Sequence, residues 1–564
     1  MTRPDDAATD SPTGPAARLA ARLIELGFTE PGLNTALGGE AVAALHRGEP
    51  AAVAWALERA ETDLEVPVRA FLLREPVAEE ALAEALGADL VSALVDAGVF
   101  ETTPIDDAAR ADVAGSGAPG GAATAGADVA GSATDAPGGA PAAGADAAGS
   151  ATDAPAPSAL RAVVDVRPVH LNGADRVVFS DRDASVTDAE QRRDHVPGMG
   201  QASLTLLRSV PDTPCGSLLD LGCGCGVQSL AQAGLAESIT ATDVLDRALD
   251  FTRATLAGAG RADAEVLDGP WFEPVAGRRF DRIVSNPPFV VGPPEVGHVY
   301  RDSGLGLDAA SATVVSGVAE HLNPGGHAHL LAAWVHREGE NWAARVASWL
   351  PEDGVAAWVL ERDRVDPSTY VGTWLRDEGV DPRSPEGAAR THAWLDYFES
   401  ENVETVGFGF VAVENIGDAP SEVVAEELTQ AFTDPLGPEV EEYFRRAAWL
   451  RARDTEGVLA ANYLVRPGVA LEEVGLPDAG TGLGFADEVR RLTRTDGPRF
   501  SHEVDAHVAA VVAGLHPQGL TLSDVAELYA AAKGLDADEV RTGAAAVTVD
   551  LVRHGLLLPA DLVC

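Results

Sequence analysis

The stretch SLLDLGCGCGVQSL, residues 217–230, decides the architecture of this chain. An apolar run ends in an acid, Asp220, and is followed by Gly222, Gly224 and Gly226 before apolar residues return at helical spacing. Glycines at every second position let the backbone turn sharply and approach a ligand closely, and the helix that follows offers free N–H groups. The pattern predicts a strand, a tight loop and a helix. A dinucleotide fingerprint would continue as G-x-G-x-x-G or G-x-G-x-x-A. Here the third position is Val227 or Ser229, depending on where counting starts, which argues against a nicotinamide enzyme. Acid-x-G-x-G-x-G fits the other nucleoside-binding variant of the same architecture, the one used for S-adenosylmethionine.

Short β-rich runs alternate with helical stretches on both sides of this loop, the pattern of a parallel sheet covered by helices. The strand candidates are 217–222, 238–243, 264–268, 282–286, 327–335 and 404–413. Asp243 closes the second of them, at the distance where an acid can accept hydrogen bonds from ribose hydroxyls, although it could equally cap the next helix. Cys223 and Cys225 lie inside the glycine loop without further ligands at metal-binding spacing, so they read as small loop-filling residues and no metal is expected.

The fourth strand runs into RIVSNPPFV. The Asn286 side-chain oxygen and the Pro287 carbonyl can both accept hydrogen bonds from a planar –NH2 group, holding its lone pair toward a methyl donor. They also stabilise the positive charge that grows on the nitrogen as it is alkylated. Pro287 and Pro288 freeze the loop, and Phe289 can stack on a planar substrate or cap the core. Taken alone, such a run is also found in ordinary turns. About 60 residues after an acid-x-G-x-G-x-G loop it is a candidate catalytic site.

LDLGCGCG, TATD and FDRIVSNPPF together resemble the class I S-adenosylmethionine-dependent N-methyltransferases that carry an N-P-P-[FY] signature. These include HemK-type release-factor glutamine N5-methyltransferases, ribosomal RNA guanine-N2 enzymes built on a methyltransferase small domain, and related adenine-N6 enzymes. The resemblance covers roughly residues 190–340. It implies a Rossmann-like seven-stranded α/β sheet whose last strand is antiparallel, with GFGFVAVEN (407–415) as the candidate. It implies S-adenosyl-L-methionine as cofactor, with Asp220, Gly222, Gly224 and Gly226 near its methionine part and Asp243 at the ribose. Such enzymes commonly have G-D-L ahead of FEPV, the acid lying near the adenine amine. Here Pro270 holds that place, and Asp268 is the candidate substitute, with Trp271 as an adenine-packing or core residue. Tyr300 and Arg301, in the loop after NPPF, are candidate substrate contacts; His298 reads as a solvated loop residue. The run DHVPGMGQAS (194–203) is a candidate closure over the methionine end.

Four segments are expected: a helical, winged-helix-like module over 1–105, a low-complexity linker over 106–159, the methyltransferase domain over 160–420, and a mainly helical, winged-helix-like module over 421–564. The linker contains AGADVAGSATDAP from Ala125 and AGADAAGSATDAP from Ala143, 18 residues later, and no large apolar residue that could stack as a solenoid. With 41 Lys+Arg against 88 Asp+Glu the formal net charge is −47, and Lys533 is the one lysine. That balance repels nucleic-acid phosphates at long range. Arg192, Arg193, Arg253 and Arg261 are a candidate local positive patch. The motif family is largest among nucleic-acid enzymes, so the substrate is read as an RNA base, most of all in ribosomal RNA, with a protein glutamine, which the charge favours, as the alternative and a non-catalytic cofactor-binding assembly protein as a third reading. The terminal modules are candidates for protein contacts. Four cysteines, no apolar run long enough to span a bilayer and an acidic start fit a cytoplasmic enzyme without a membrane partner.

Overall fold

The computed structural model describes residues 14–103, 158–182, 192–294, 299 and 302–563. The chain divides into two compact units, one formed by 34–164 and the other by the first 33 residues with 165–564.

The larger unit is built on eight strands: β1 Cys215–Leu221, β2 Ala236–Asp243, β3 Glu265–Asp268, β4 Phe280–Ser285, β5 Leu322–Arg337, β6 Asp353–Val365, β7 Val403–Pro420 and β8 Glu422–Glu427. Their order across the sheet is β8-β6-β7-β5-β4-β1-β2-β3. Strands β1 to β5 run parallel to their neighbours, and β7 enters antiparallel between β5 and β6. The expected antiparallel strand 407–415 lies in β7. The sheet has eight strands instead of seven because β8 pairs in parallel with β6, supplying partners to backbone groups that an edge strand leaves open.

Side chains alternate across β1 as strand geometry requires. Leu218 joins one apolar core with Val284, Leu331, Trp358 and Phe410. Leu219 and Leu221 join a second, with Ile283, Leu330, Val359 and Val411. Helices α1 Val227–Gln232, α2 Asp246–Gly258 and α3 Ala309–His321 follow β1, β2 and β4. Two more, α4 Pro367–Asp377 and α5 Pro385–Ser400, form a helical hairpin inserted between β6 and β7. The helix Pro15–Glu25 also belongs to this unit. Ala20 packs so closely on α2 that a Cβ on Gly258 would stand 2.9 Å from its own.

Residues beyond 420 share the first core instead of forming a detached module. The helix Gly437–Arg451 contributes Val440, Tyr443 and Phe444 to it, and the Tyr443 ring stacks on Trp358 at 4.1 Å. The chain ends in the helices Ala506–Ala513, Leu522–Lys533 and Ala537–Arg553 and the strand Leu557–Pro559, which pairs with Tyr463–Val465. Between Tyr463–Val465 and Ala506–Ala513 the chain forms an antiparallel sheet of Val469–Pro477, Phe485–Arg494 and Ser501–Glu503 that sequence reading did not anticipate. Its strands lack an apolar alternation, and Glu473 faces Arg490 and Glu472 faces Arg491 across it.

In the smaller unit, helices Glu79–Leu86 and Ala88–Asp96 precede the strand Phe100–Thr103. That strand pairs with Ala159–Ala162, which also pairs with Val77–Ala78. The partner strand lies at the far end of the low-complexity segment, so that segment joins two strands of one hairpin instead of separating two domains. Its residues 106–157 are outside the described residues.

Candidate active site

The loop after β1 holds Gly222, Gly224 and Gly226 at φ of 74°, 54° and 76°. An L side chain is disfavoured at such angles, which is why the sequence has glycine there. The N–H groups of Gly222 and Cys223 both donate to the Thr242 carbonyl at 2.9 Å, tying the loop to the end of β2. Thr252, on α2, donates to the Gly224 carbonyl at 3.0 Å.

Asp243 closes β2, and its two carboxylate oxygens accept the N–H groups of Gly224 at 2.9 Å and Leu245 at 3.0 Å. Each oxygen has a second lone pair, so the group can anchor the loop and still accept hydroxyl hydrogens. It does not cap α2, whose N-cap residue is Leu245. Asp268 is exposed and lies opposite Asp243 in the β2–β3 register. Asp220 lies one residue before the end of β1. It is 1% exposed, and one oxygen accepts both the N–H of Ser229 at 2.9 Å and its hydroxyl at 2.7 Å. It braces the glycine loop from beneath, and burial pushes its carboxyl up to about 6. Burial also pushes the Cys225 thiol up to about 12 and Cys223 well above its ordinary value, so both stay protonated. Among the described residues no group of His, Cys, Asp or Glu is placed to hold a metal ion.

The register of the sheet brings the two signature loops together. Ser285, the last residue of β4, pairs with Leu221, the last of β1, and its hydroxyl donates to the Leu221 carbonyl at 2.8 Å. Asn286 and Gly222 therefore leave neighbouring strands side by side. Pro287 is buried, while Asn286, Pro288 and Phe289 are half-buried. The Asn286 side chain has no hydrogen-bond partner among the described residues. Phe289 packs against apolar side chains of the first core and of a third, beside α4 and α5. Trp271 is half-buried against the second core, with φ of 49°. Tyr300, Arg301 and His298 lie outside the described residues.

Two groups were not found by sequence reading. Asp181, 6% exposed, accepts the Val196 N–H at 2.9 Å and the Arg247 side chain at 2.8 Å, pinning the start of the 194–203 run to α2. Its only sequence signal is an acid just after an apolar strand. Tyr370, on α4, accepts the Val291 N–H at 2.7 Å. The arginines of the candidate positive patch are largely engaged elsewhere. Arg192 pairs with Asp194, Arg253 pairs with Asp250, and Arg261 donates to the carbonyls of Ala233, Ala236 and Glu237.

A glycine loop and an amine-type loop on adjacent parallel strands, with β7 reversed between β5 and β6, define the domain of a class I S-adenosylmethionine-dependent methyltransferase. Residues 197–332 match the family described as methyltransferase small domain. Flanking segments 25–112 and 441–559 match two families described only as domains of unknown function, DUF7059 and DUF7782. Among characterised relatives, ribosomal RNA small subunit methyltransferase C of Escherichia coli is 39% identical over 137 residues, 24% of this chain and 36% of that protein. The chain thus spans about a third of the length of the curated relatives it matches. A solved T. thermophilus 16S rRNA N2 methyltransferase, in complex with AdoMet and guanosine, is 22% identical over 34% of this chain and 50% of its own, with a TM-score of 0.23. An rRNA methylase from Streptococcus thermophilus is 13% identical over 38% of this chain and 93% of its own, with a TM-score of 0.20.

Proposed function

We propose that this protein transfers a methyl group from S-adenosylmethionine to the exocyclic amine of an RNA base, a guanine or adenine of ribosomal RNA. The observation that carries the reading is the pairing of Ser285 with Leu221, which sets the Asn286-Pro287 acceptors beside the glycine loop. The matched methyltransferase small domain and the 39% identical ribosomal RNA methyltransferase support the choice of substrate class.

The residues present suit the cofactor. Three left-handed glycines leave a cradle free of side chains, Asp243 retains lone pairs for ribose hydroxyls, and Asp268 lies next to it on the exposed strand end for the adenine amine. When bound, S-adenosylmethionine supplies an electrophilic methyl on a sulfonium. Asn286 Oδ1 and the Pro287 carbonyl accept the two amine hydrogens and so aim the nitrogen lone pair toward the glycine loop. As the N–C bond forms and the S–C bond breaks, its electron pair leaving with the neutral thioether S-adenosylhomocysteine, those oxygens face a growing positive charge and stabilise it more than they stabilise the neutral amine. The surplus proton leaves to solvent after transfer, so no dedicated base is needed.

The test uses labelled S-adenosylmethionine with small ribosomal subunits from cells lacking the gene. Label is expected in RNA. Asn286→Ala should slow transfer by about tenfold to over a hundredfold, since a hydrogen bond to a charged centre contributes roughly 1.5–3 kcal/mol, with cofactor affinity unchanged in calorimetry. Undiminished turnover by the variant would remove Asn286 from the site. Label confined to protein would replace the RNA base with a glutamine amide.

A further inference from the structure

The loop 286–292 is fixed at its start by the sheet and at its end by something else. Ser285 is held by β1 and by its β5 partner, Leu330. Past Phe289 the chain leaves the sheet, and its described contacts converge on the α4–α5 hairpin. The buried Tyr370 hydroxyl accepts the N–H of Val291 at 2.7 Å, across 79 residues of sequence. One residue on, Gly292 lies flat against the Trp394 ring of α5, where an added Cβ would come within 3.0 Å of it. The Gly292 carbonyl accepts the Leu307 N–H at 2.9 Å. Val290, Val291 and Leu307 share one apolar core with Tyr370, Val371, Leu375 and Phe398 of the two helices. Asp366 caps α4 by accepting the Thr369 N–H, and Pro367 begins the helix, so Tyr370 stands on a defined first turn.

We propose that the α4–α5 hairpin positions the amine-accepting loop, with Tyr370 as its positioning residue. The inference rests on the proposed amine site. Two acceptors must be held to within about half an ångström to orient a nitrogen lone pair, and an error of about 1 Å in such a site lowers the rate about a hundredfold. Without the Tyr370 oxygen, the Val291 N–H is buried without an acceptor, and the loop relieves this by moving. The glycine loop, on β1 and β2, does not share the anchor, so cofactor binding is spared.

The experiment compares wild type with Tyr370→Phe, which keeps the ring and removes the acceptor, and with Gly292→Ala, which pushes on Trp394 and keeps the hydroxyl. Hydrogen exchange of the full chain should rise at least tenfold at the Val291 amide in Tyr370→Phe, with protection of β1 and β2 unchanged. Methyl transfer to small ribosomal subunits should show kcat lowered about tenfold to a hundredfold in both variants, with KM for S-adenosylmethionine within about twofold of wild type. Unchanged exchange at Val291 overturns the anchor whatever the substrate proves to be. Faster exchange with wild-type kcat overturns the positioning role. In that case, loss of turnover in Asn286→Ala leaves the amine site standing, and its persistence removes the amine site as well.

Discussion

Burial raises the Asp220 carboxyl to about 6, above the roughly 3.9 of an unfolded aspartate. A carboxyl raised on folding favours the folded state fully below pH ~4, and that contribution fades as pH rises through about 6. Two pH units correspond to at most about 3 kcal/mol. In Asp220→Asn the amide oxygen can still accept both Ser229 hydrogen bonds, and the proton is no longer involved. Urea unfolding at pH 4.5 and 7.5 should show the stability of wild type relative to the variant falling between the two; an unchanged difference would contradict the burial argument. The meeting of the glycine loop, Asp243 and Asn286 at adjoining strand ends was legible in the sequence because it follows from residue type and short spacing. Within the chain, Asp220 accepts from Ser229, a contact that spacing alone did not indicate. Tyr370 and Asp181 were invisible because each acts on a single backbone N–H, brought to it by folding from 79 and 15 residues away.

At the scale of elements, the turn from β1 into α1 tolerates least change. Gly226 has φ of 76°, and a Cβ there would stand 3.0–3.2 Å from three atoms of Thr252. Gly226→Ala should lower stability by about 2 kcal/mol, from left-handed strain and overpacking together, and weaken cofactor binding more than tenfold. Denaturant midpoints and calorimetry on one preparation check both. All six strands expected between 217 and 413 are present; β1, β4 and β5 lie inside the sheet, and strands buried on both faces read as near-continuous apolar runs. Strands β6 and β8 went unread. β6 continues as a strand from Ala356–Leu360 into the charged ERDRV that ends it, and β8 is EVVAEE, with acids at three of its six positions. The helical hairpin between β6 and β7 was also unread. Its placement over the NPPF loop depends on the tertiary contacts of Tyr370 and Trp394, which spacing does not encode.

Over the whole molecule the formal charge of −47 stands against an RNA substrate held by its phosphates. The described arginines around the cofactor loops are mostly committed to aspartates and carbonyls. Association with RNA in small subunits should therefore release few counterions. The logarithm of the binding constant should fall with the logarithm of salt at a slope shallower than about −2, between about 50 and 200 mM. A slope of about −5 would reveal a phosphate-binding surface. No helix among the described residues is long and apolar enough to cross a membrane. The duplicated segment shows how architecture and sequence history meet. Thr103 pairs with Ala159, so the hairpin already brings the two ends of the duplicated stretch together, and loop-closure entropy grows by only about 0.6 kcal/mol for each doubling of loop length. Gaining or losing one copy of the 18-residue unit is then nearly silent for folding. Slippage during replication can lengthen or shorten this stretch, and selection on stability will scarcely register the change.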